Sequence, residues 1–124
     1  MDLMKLTAVQ LSAKMKAGEI RVTDAVSAAL AAIKERDKEV NAFITVDEEG
    51  AMKRAGEVQR LIDAGELSGP LAGVPIAVKD NICTKGLKTT CASKILYNFV
   101  PTYDAEAAAN LEKAGLVIIG KTNM

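Results

Sequence analysis

The stretch Gly73-Val74-Pro75-Ile76-Ala77-Val78-Lys79-Asp80-Asn81 decides how this chain reads. Val74, Ile76 and Val78 alternate with Pro75 and Ala77, and none of the five is polar. So short an apolar run, bounded by Gly73 and by Asp80-Asn81, predicts a largely buried strand over 74–78. Lys79 stands at its mouth. Desolvation there disfavours the ammonium and leaves more neutral amine able to take up a proton, so Lys79 is the candidate general base. The competing reading is a lysine whose aliphatic stem follows the strand while its charged head reaches water.

Outward from Lys79, the chain alternates strand and helix. Residues 80–94 form a loop region with Gly86 and the paired Thr89-Thr90. Asp104 is expected to cap an alanine-rich helix that buries Ala108 and Leu111 and ends at Gly115. Leu116 to Ile119 then reads as a β-branched strand. Strand, crossover and strand predict parallel pairing, with Ile119 emerging at the same edge as Val78. Ligands of such sheets sit outside the carboxyl ends of the strands, where Lys79 and Lys121 both fall. Lys121, placed beyond the strand, reads as a solvated loop lysine.

Upstream, residues 1–65 read as helices. Thr7 and Gln10 form a capping box, Leu6 and Leu11 a hydrophobic staple, and Gly18 a stop. A second helix is expected from Thr23, with Val26, Leu30 and Ile33 on one face, running out near Lys38. Residues 42–46 form a short extended piece. Asp47 opens a third helix that turns Ala51, Ala55, Val58 and Ile62 inward and stops at Gly65. The loop Glu66-Leu67-Ser68-Gly69-Pro70 is the internal boundary.

Composition narrows the function. Sixteen basic residues cancel sixteen acidic ones over 124 positions, which gives no basic surface for nucleic acid. No apolar run approaches the roughly 20 residues that span a bilayer. The start Met1-Asp2-Leu3-Met4 lacks an apolar signal core. Cys83 and Cys91 stand eight positions apart, a spacing for neither a redox pair nor a zinc half-site, so both are expected as reduced, buried thiols.

One motif points elsewhere. Gly115-Leu116-Val117-Ile118-Ile119-Gly120-Lys121-Thr122 satisfies the phosphate-loop pattern literally. A phosphate cradle needs several backbone N–H groups free to turn inward, whereas Leu-Val-Ile-Ile favours a strand that spends them in a ladder. Nucleotide binding is rejected on that ground.

The segment Gly69 to Ile82 is similar to the opening of the catalytic core of the amidase signature family. The similarity continues through Gly86-Leu87-Lys88-Thr89-Thr90-Cys91-Ala92-Ser93-Lys94 and Tyr103-Asp104-Ala105, and closes with Ala114 to Met124. Residues 69–124 match closely, and the helices before them match loosely. The stretch 89–96 most resembles the tRNA-dependent amidotransferase members, since many other members have Ala-Gly-Ser after the threonines.

The resemblance implies an α/β fold: N-terminal helices over 1–65, then, over 66–124, the first strands of a mixed, mainly parallel sheet, incomplete here. It implies amide hydrolysis by a Ser–Ser–Lys triad whose lysine is Lys79. A chain without histidine suits that chemistry, because a serine nucleophile then needs another base. In the family both serines lie in a Gly/Ser-rich segment beyond the Gly-Lys-Thr-Asn-Met stretch. Ser12, Ser27, Ser68 and Ser93 do not sit in that context, so the 124 residues alone are expected to be inactive.

Further expectations follow from the same resemblance. They are glutamine as substrate, ammonia passed to glutamate carried on tRNA(Gln), and two other subunits of a heterotrimeric amidotransferase. ATP and magnesium would belong to a partner subunit, with no cofactor or metal in this chain, and the location would be cytoplasmic. The nearly all-apolar Leu116 to Ile119 expects neighbours on both sides, and an open edge there would favour self-association. A stand-alone amidase and a non-catalytic interaction module remain open as alternatives.

Overall fold

The computed structural model describes residues 2–124. Among them lie four α-helices and three strands: α1 (Ala8–Lys16), α2 (Val22–Val40), β1 (Phe43–Val46), α3 (Glu48–Asp63), β2 (Pro75–Lys79), α4 (Glu106–Lys113) and β3 (Val117–Thr122).

Local chemistry sets most helix ends. At α1 the Thr7 hydroxyl accepts from the Gln10 N–H at 3.2 Å and the Gln10 amide oxygen accepts from the Thr7 N–H at 3.0 Å. This capping box satisfies two donors that would otherwise lack partners. α2 begins at Val22, one residue before Thr23, because Asp24 accepts from the Arg21 N–H and Gln59 of α3 accepts from the Val22 N–H at 2.8 Å. It continues past Lys38 to Val40 and ends on Asn41 in the left-handed conformation. Asp47 caps α3 by accepting from the Gly50 N–H at 3.1 Å.

Asp104 does not cap α4. Its carboxylate is taken at 2.7 Å by the Lys85 N–H from the preceding loop, and the helix opens on Ala105 with no side-chain cap. A nearby unpaired loop donor competes for the same oxygen and wins.

The sheet has the order β1-β3-β2. β2 and β3 pair in parallel, with Val78 opposite Lys121 and Lys79 opposite Thr122. β1 pairs with β3 antiparallel, Phe43 opposite Thr122 and Val46 opposite Gly120. Two readings from sequence change here. β3 does not stop at Ile119 but runs through Lys121 to Thr122, since partners on both flanks extend its ladder. It is therefore the central strand, and the free edges belong to β1 and β2. The same pairing commits the backbone of Val117–Thr122 to ladders, which a phosphate cradle could not share.

The helices turn their apolar faces onto this sheet. Val22, Val26, Ala51, Ala55 and Val58 are fully buried together with Val117 of β3, and Ile119 joins them. Burying a side chain of the size of Val or Ile contributes about 1.5–3 kcal/mol. Residues 2–65 and 66–124 thus share one core and one sheet. The Ser12 hydroxyl donates to the Ala72 carbonyl at 2.9 Å and fixes α1 to the turn before β2. Gly73 holds φ +86°, and a β-carbon there would collide with Met15 and Val22, so the turn needs glycine. No helix among the described residues is long and apolar enough to cross a membrane.

Candidate active site at the carboxyl ends of β2 and β3

Lys79 is the last residue of β2, and its side chain is exposed. Among the described residues it enters no ion pair. Its main chain is tightly held: the Lys79 carbonyl accepts from the Ile82 N–H at 3.0 Å, and the strand reaches it in register with Thr122. Alternation explains the exposure. Val78, one residue earlier, is buried, so Lys79 must point to the other side.

Asp80 and Lys121 lie immediately beside it, and both are completely buried. The Lys121 ammonium donates to the Ile82 carbonyl and to the Thr89 hydroxyl, each at 2.8 Å, and stands 3.8 Å from Asp80 Oδ1. Asp80 Oδ2 accepts from the Thr90 N–H at 3.1 Å, from the Thr90 hydroxyl and, at 3.5 Å, from the Ala92 N–H. Asp80 Oδ1 has no hydrogen-bond donor and faces only the ammonium. Burial pushes the Lys121 pKa below its ordinary value, and the Asp80 carboxylate opposes that shift in part.

Lys121 is therefore a buried anchor and not a solvated loop lysine. The sequence reading missed it because it ended β3 at Ile119, three residues before Thr122. A bulge completes the explanation. Ile76 pairs with Ile118 but Ala77 with Gly120, so β3 carries an extra residue at Ile119. That residue resets the side-chain alternation and lets Lys121 meet the 82–90 loop, although Val117 and Ile119 face the helices.

The loop that closes over this pair carries backbone strain. Cys91 and Ala92 hold φ +53° and +54°, although neither is glycine. The Cys91 N–H donates to the Asp80 carbonyl at 2.9 Å and the Ser93 N–H to the Thr90 carbonyl at 2.8 Å, and these bonds retain the turn. Beside it opens a groove of roughly 450 Å³, walled by Thr45, Lys88, Thr90, Ser93, Lys94 and Asn123 among others.

Two expectations about side chains need correction or completion. Cys91 is exposed and Cys83 only half-buried, both with free thiols, so the pair is not a buried one. Cys91 lies in the left-handed turn of residues 91–92, at the surface. The Cys83 thiol lies 3.7 Å from the Tyr103 hydroxyl, and this contact raises the Tyr103 pKa. No serine approaches Lys79 by hydrogen bond among the described residues. Ser12 serves Ala72, Ser27 lies 3.7 Å from the Met52 sulfur, and the Ser93 hydroxyl accepts from the Ile95 N–H.

The arrangement supplies an amine with no partner among the described residues, at the carboxyl edge of a parallel pair and on a backbone fixed by a buried ion pair. The model of the family described as amidase matches residues 24–124. Over all its residues the chain is 64% identical to the A subunit of the glutamyl-tRNA(Gln) amidotransferase of Agathobacter rectalis, and 55% identical to that of Lachnospira eligens. It spans about a quarter of the length of these relatives, 25% and 26%. Among solved structures it is similar to the native peptide amidase from Stenotrophomonas maltophilia. The TM-score is 0.91 at 36% identity, over 97% of this chain and 25% of that one.

Proposed function

The chain belongs to the amidase signature family, and from that membership we propose that it is the N-terminal part of the A subunit of a glutamyl-tRNA(Gln) amidotransferase. Lys79 is its catalytic base. The observation that carries the reading is an exposed lysine, without a partner among the described residues, held at the carboxyl edge of β2 inside a sequence 64% identical to such a protein.

In this reading the neutral amine of Lys79 takes a proton from a bridging serine, which takes one from the nucleophilic serine. The nucleophile attacks the side-chain amide carbon of glutamine, the C–N bond breaks, and ammonia leaves with a returned proton. Water then hydrolyses the acyl-enzyme to glutamate. Both serines come from residues beyond Met124. Two further subunits, tRNA(Gln), and the ATP and magnesium of a partner subunit complete the reaction in the cytoplasm, and these 124 residues hold no cofactor.

The test is glutamine-dependent ammonia release by the intact complex. Wild type is active and Lys79→Ala is not; full activity in Lys79→Ala refutes the assignment. The likeness to a peptide amidase supports a second reading, a stand-alone amidase. Hydrolysis of simple amides with no partner protein present would favour it.

A further inference from the structure

Resting on the reading of Lys79 as the base, we infer that Asp80, Thr90 and Lys121 are positioning residues for it. They form a buried clamp that fixes the backbone on which an exposed catalytic side chain is mounted.

Nothing among the described residues grips the Lys79 ammonium, yet the main chain around it is held on several sides. The Lys79 carbonyl accepts from the Ile82 N–H, and the Ile82 carbonyl accepts in turn from the Lys121 ammonium at 2.8 Å. The next residue is held harder still. The Asp80 N–H donates to the Thr122 carbonyl at 2.9 Å, and the Asp80 carbonyl accepts from the Cys91 N–H at 2.9 Å. Its carboxylate accepts from the N–H and the hydroxyl of Thr90. Every polar group of Asp80 except Oδ1 is hydrogen-bonded, and Oδ1 faces Lys121.

Such a clamp is costly. Two buried charges are no more stabilising than a well-packed apolar pair of similar volume. The turn that seals them adds two non-glycine residues in the left-handed conformation. A solvated surface lysine needs none of this, whereas a base does. Its amine must meet a serine hydroxyl at hydrogen-bond distance, and a small displacement of its Cα is multiplied along the flexible four-carbon stem.

The experiment uses the intact amidotransferase, with thermal unfolding measured beside the kcat and KM of ammonia release from glutamine. Thr90→Val removes one donor to Asp80 at nearly constant volume, and Thr90→Ser restores it. The expected result for Thr90→Val is a kcat lowered about 10- to 100-fold at a KM unchanged within about threefold, as for a misplaced catalytic group. Thr90→Ser returns most of that kcat. If Thr90→Val does not fold, Asp80→Asn is read in the same way.

A folded Thr90→Val or Asp80→Asn enzyme with wild-type kcat overturns the clamp, while an inactive Lys79→Ala enzyme leaves the reading of Lys79 standing. A kcat that falls equally in Thr90→Ser and Thr90→Val also overturns it, because the hydroxyl is then irrelevant. Activity that survives in Lys79→Ala overturns both the reading of Lys79 and the clamp.

Discussion

Lys121→Met tests whether the buried ion pair holds the carboxyl end of the sheet. Methionine keeps the apolar stem of lysine, so little cavity is created and the change isolates the ammonium. Three groups lose the ammonium: the Ile82 carbonyl, which still accepts from the Thr84 hydroxyl at 3.1 Å, the Thr89 hydroxyl, which still donates to the Leu87 carbonyl at 3.1 Å, and Asp80 Oδ1, which is left with no partner. Removing one member of a buried pair costs about 3–5 kcal/mol. The desolvation that already lowers the Lys121 pKa is relieved by the same substitution, which places the expected loss near the low end, about 3 kcal/mol. A domain of 124 residues has about 6–19 kcal/mol of stability in total, so the loss is large but leaves a folded protein. Urea unfolding followed by far-UV circular dichroism measures it, with an unchanged m-value as the sign that both states stay comparable. In an Asp80→Asn background the same substitution costs less by about 1–3 kcal/mol, the coupling expected of direct partners.

The pH dependence has a definite sign. The folded pKa of Lys121 lies below its ordinary 10.5, so between the lowered value and 10.5 the unfolded chain binds more protons. Stability relative to Lys121→Met therefore rises with pH in that interval. This contribution is fully present above 10.5 and is lost as pH falls through the lowered value. A loss below about 1 kcal/mol, additive effects of the two substitutions, or a slope of opposite sign would refute the reasoning.

Four further outcomes are expected. Ala92→Gly relieves a left-handed residue and raises stability by about 0.5–1 kcal/mol after the entropy of glycine is subtracted; a lower urea midpoint would contradict this. Gly120→Ala drives a β-carbon into the Thr45 carbonyl and the Phe43 ring and costs about 1–3 kcal/mol, whereas a neutral result would mean that β1 does not pack closely on β3. Lys79→Ala in the 124-residue chain shifts stability by less than about 0.5 kcal/mol, as for an exposed side chain. Neither form releases ammonia from glutamine, and release that disappears with Lys79 would count against the serine requirement. The 124-residue chain self-associates through the free edges of β1 and β2, and purely monomeric sedimentation at high micromolar concentration would speak against it.

What a reader of the sequence alone could obtain was set by short-range physics. The capping box of Thr7 and Gln10, the Asp47 cap and the inward face of α3 follow from residues three or four apart, and the structure reproduces them. The apolar run ending at Lys79 is equally local. A strand so short and so apolar, followed by a crossover helix and a β-branched run, allows little besides a parallel pair with Lys79 at its carboxyl edge. The motifs around it are specific enough to carry the family.

Tertiary structure decided the rest, and the reason is the same in each case: the deciding partner is remote in sequence. Asp104 looked like a helix cap until the Lys85 N–H took its carboxylate. β3 looked finished at Ile119 because its last residues are polar. Pairing with Phe43–Val46 on one flank and Pro75–Lys79 on the other carries it to Thr122. Lys121 had the composition of a solvated lysine, yet the bulge at Ile119 turns it under a loop from 39 residues earlier, where the Ile82 carbonyl accepts its hydrogen bond. Local sequence fixes dihedral preferences and amphipathic faces, but burial and charge pairing depend on which distant backbone arrives alongside, and that is settled only when the chain packs.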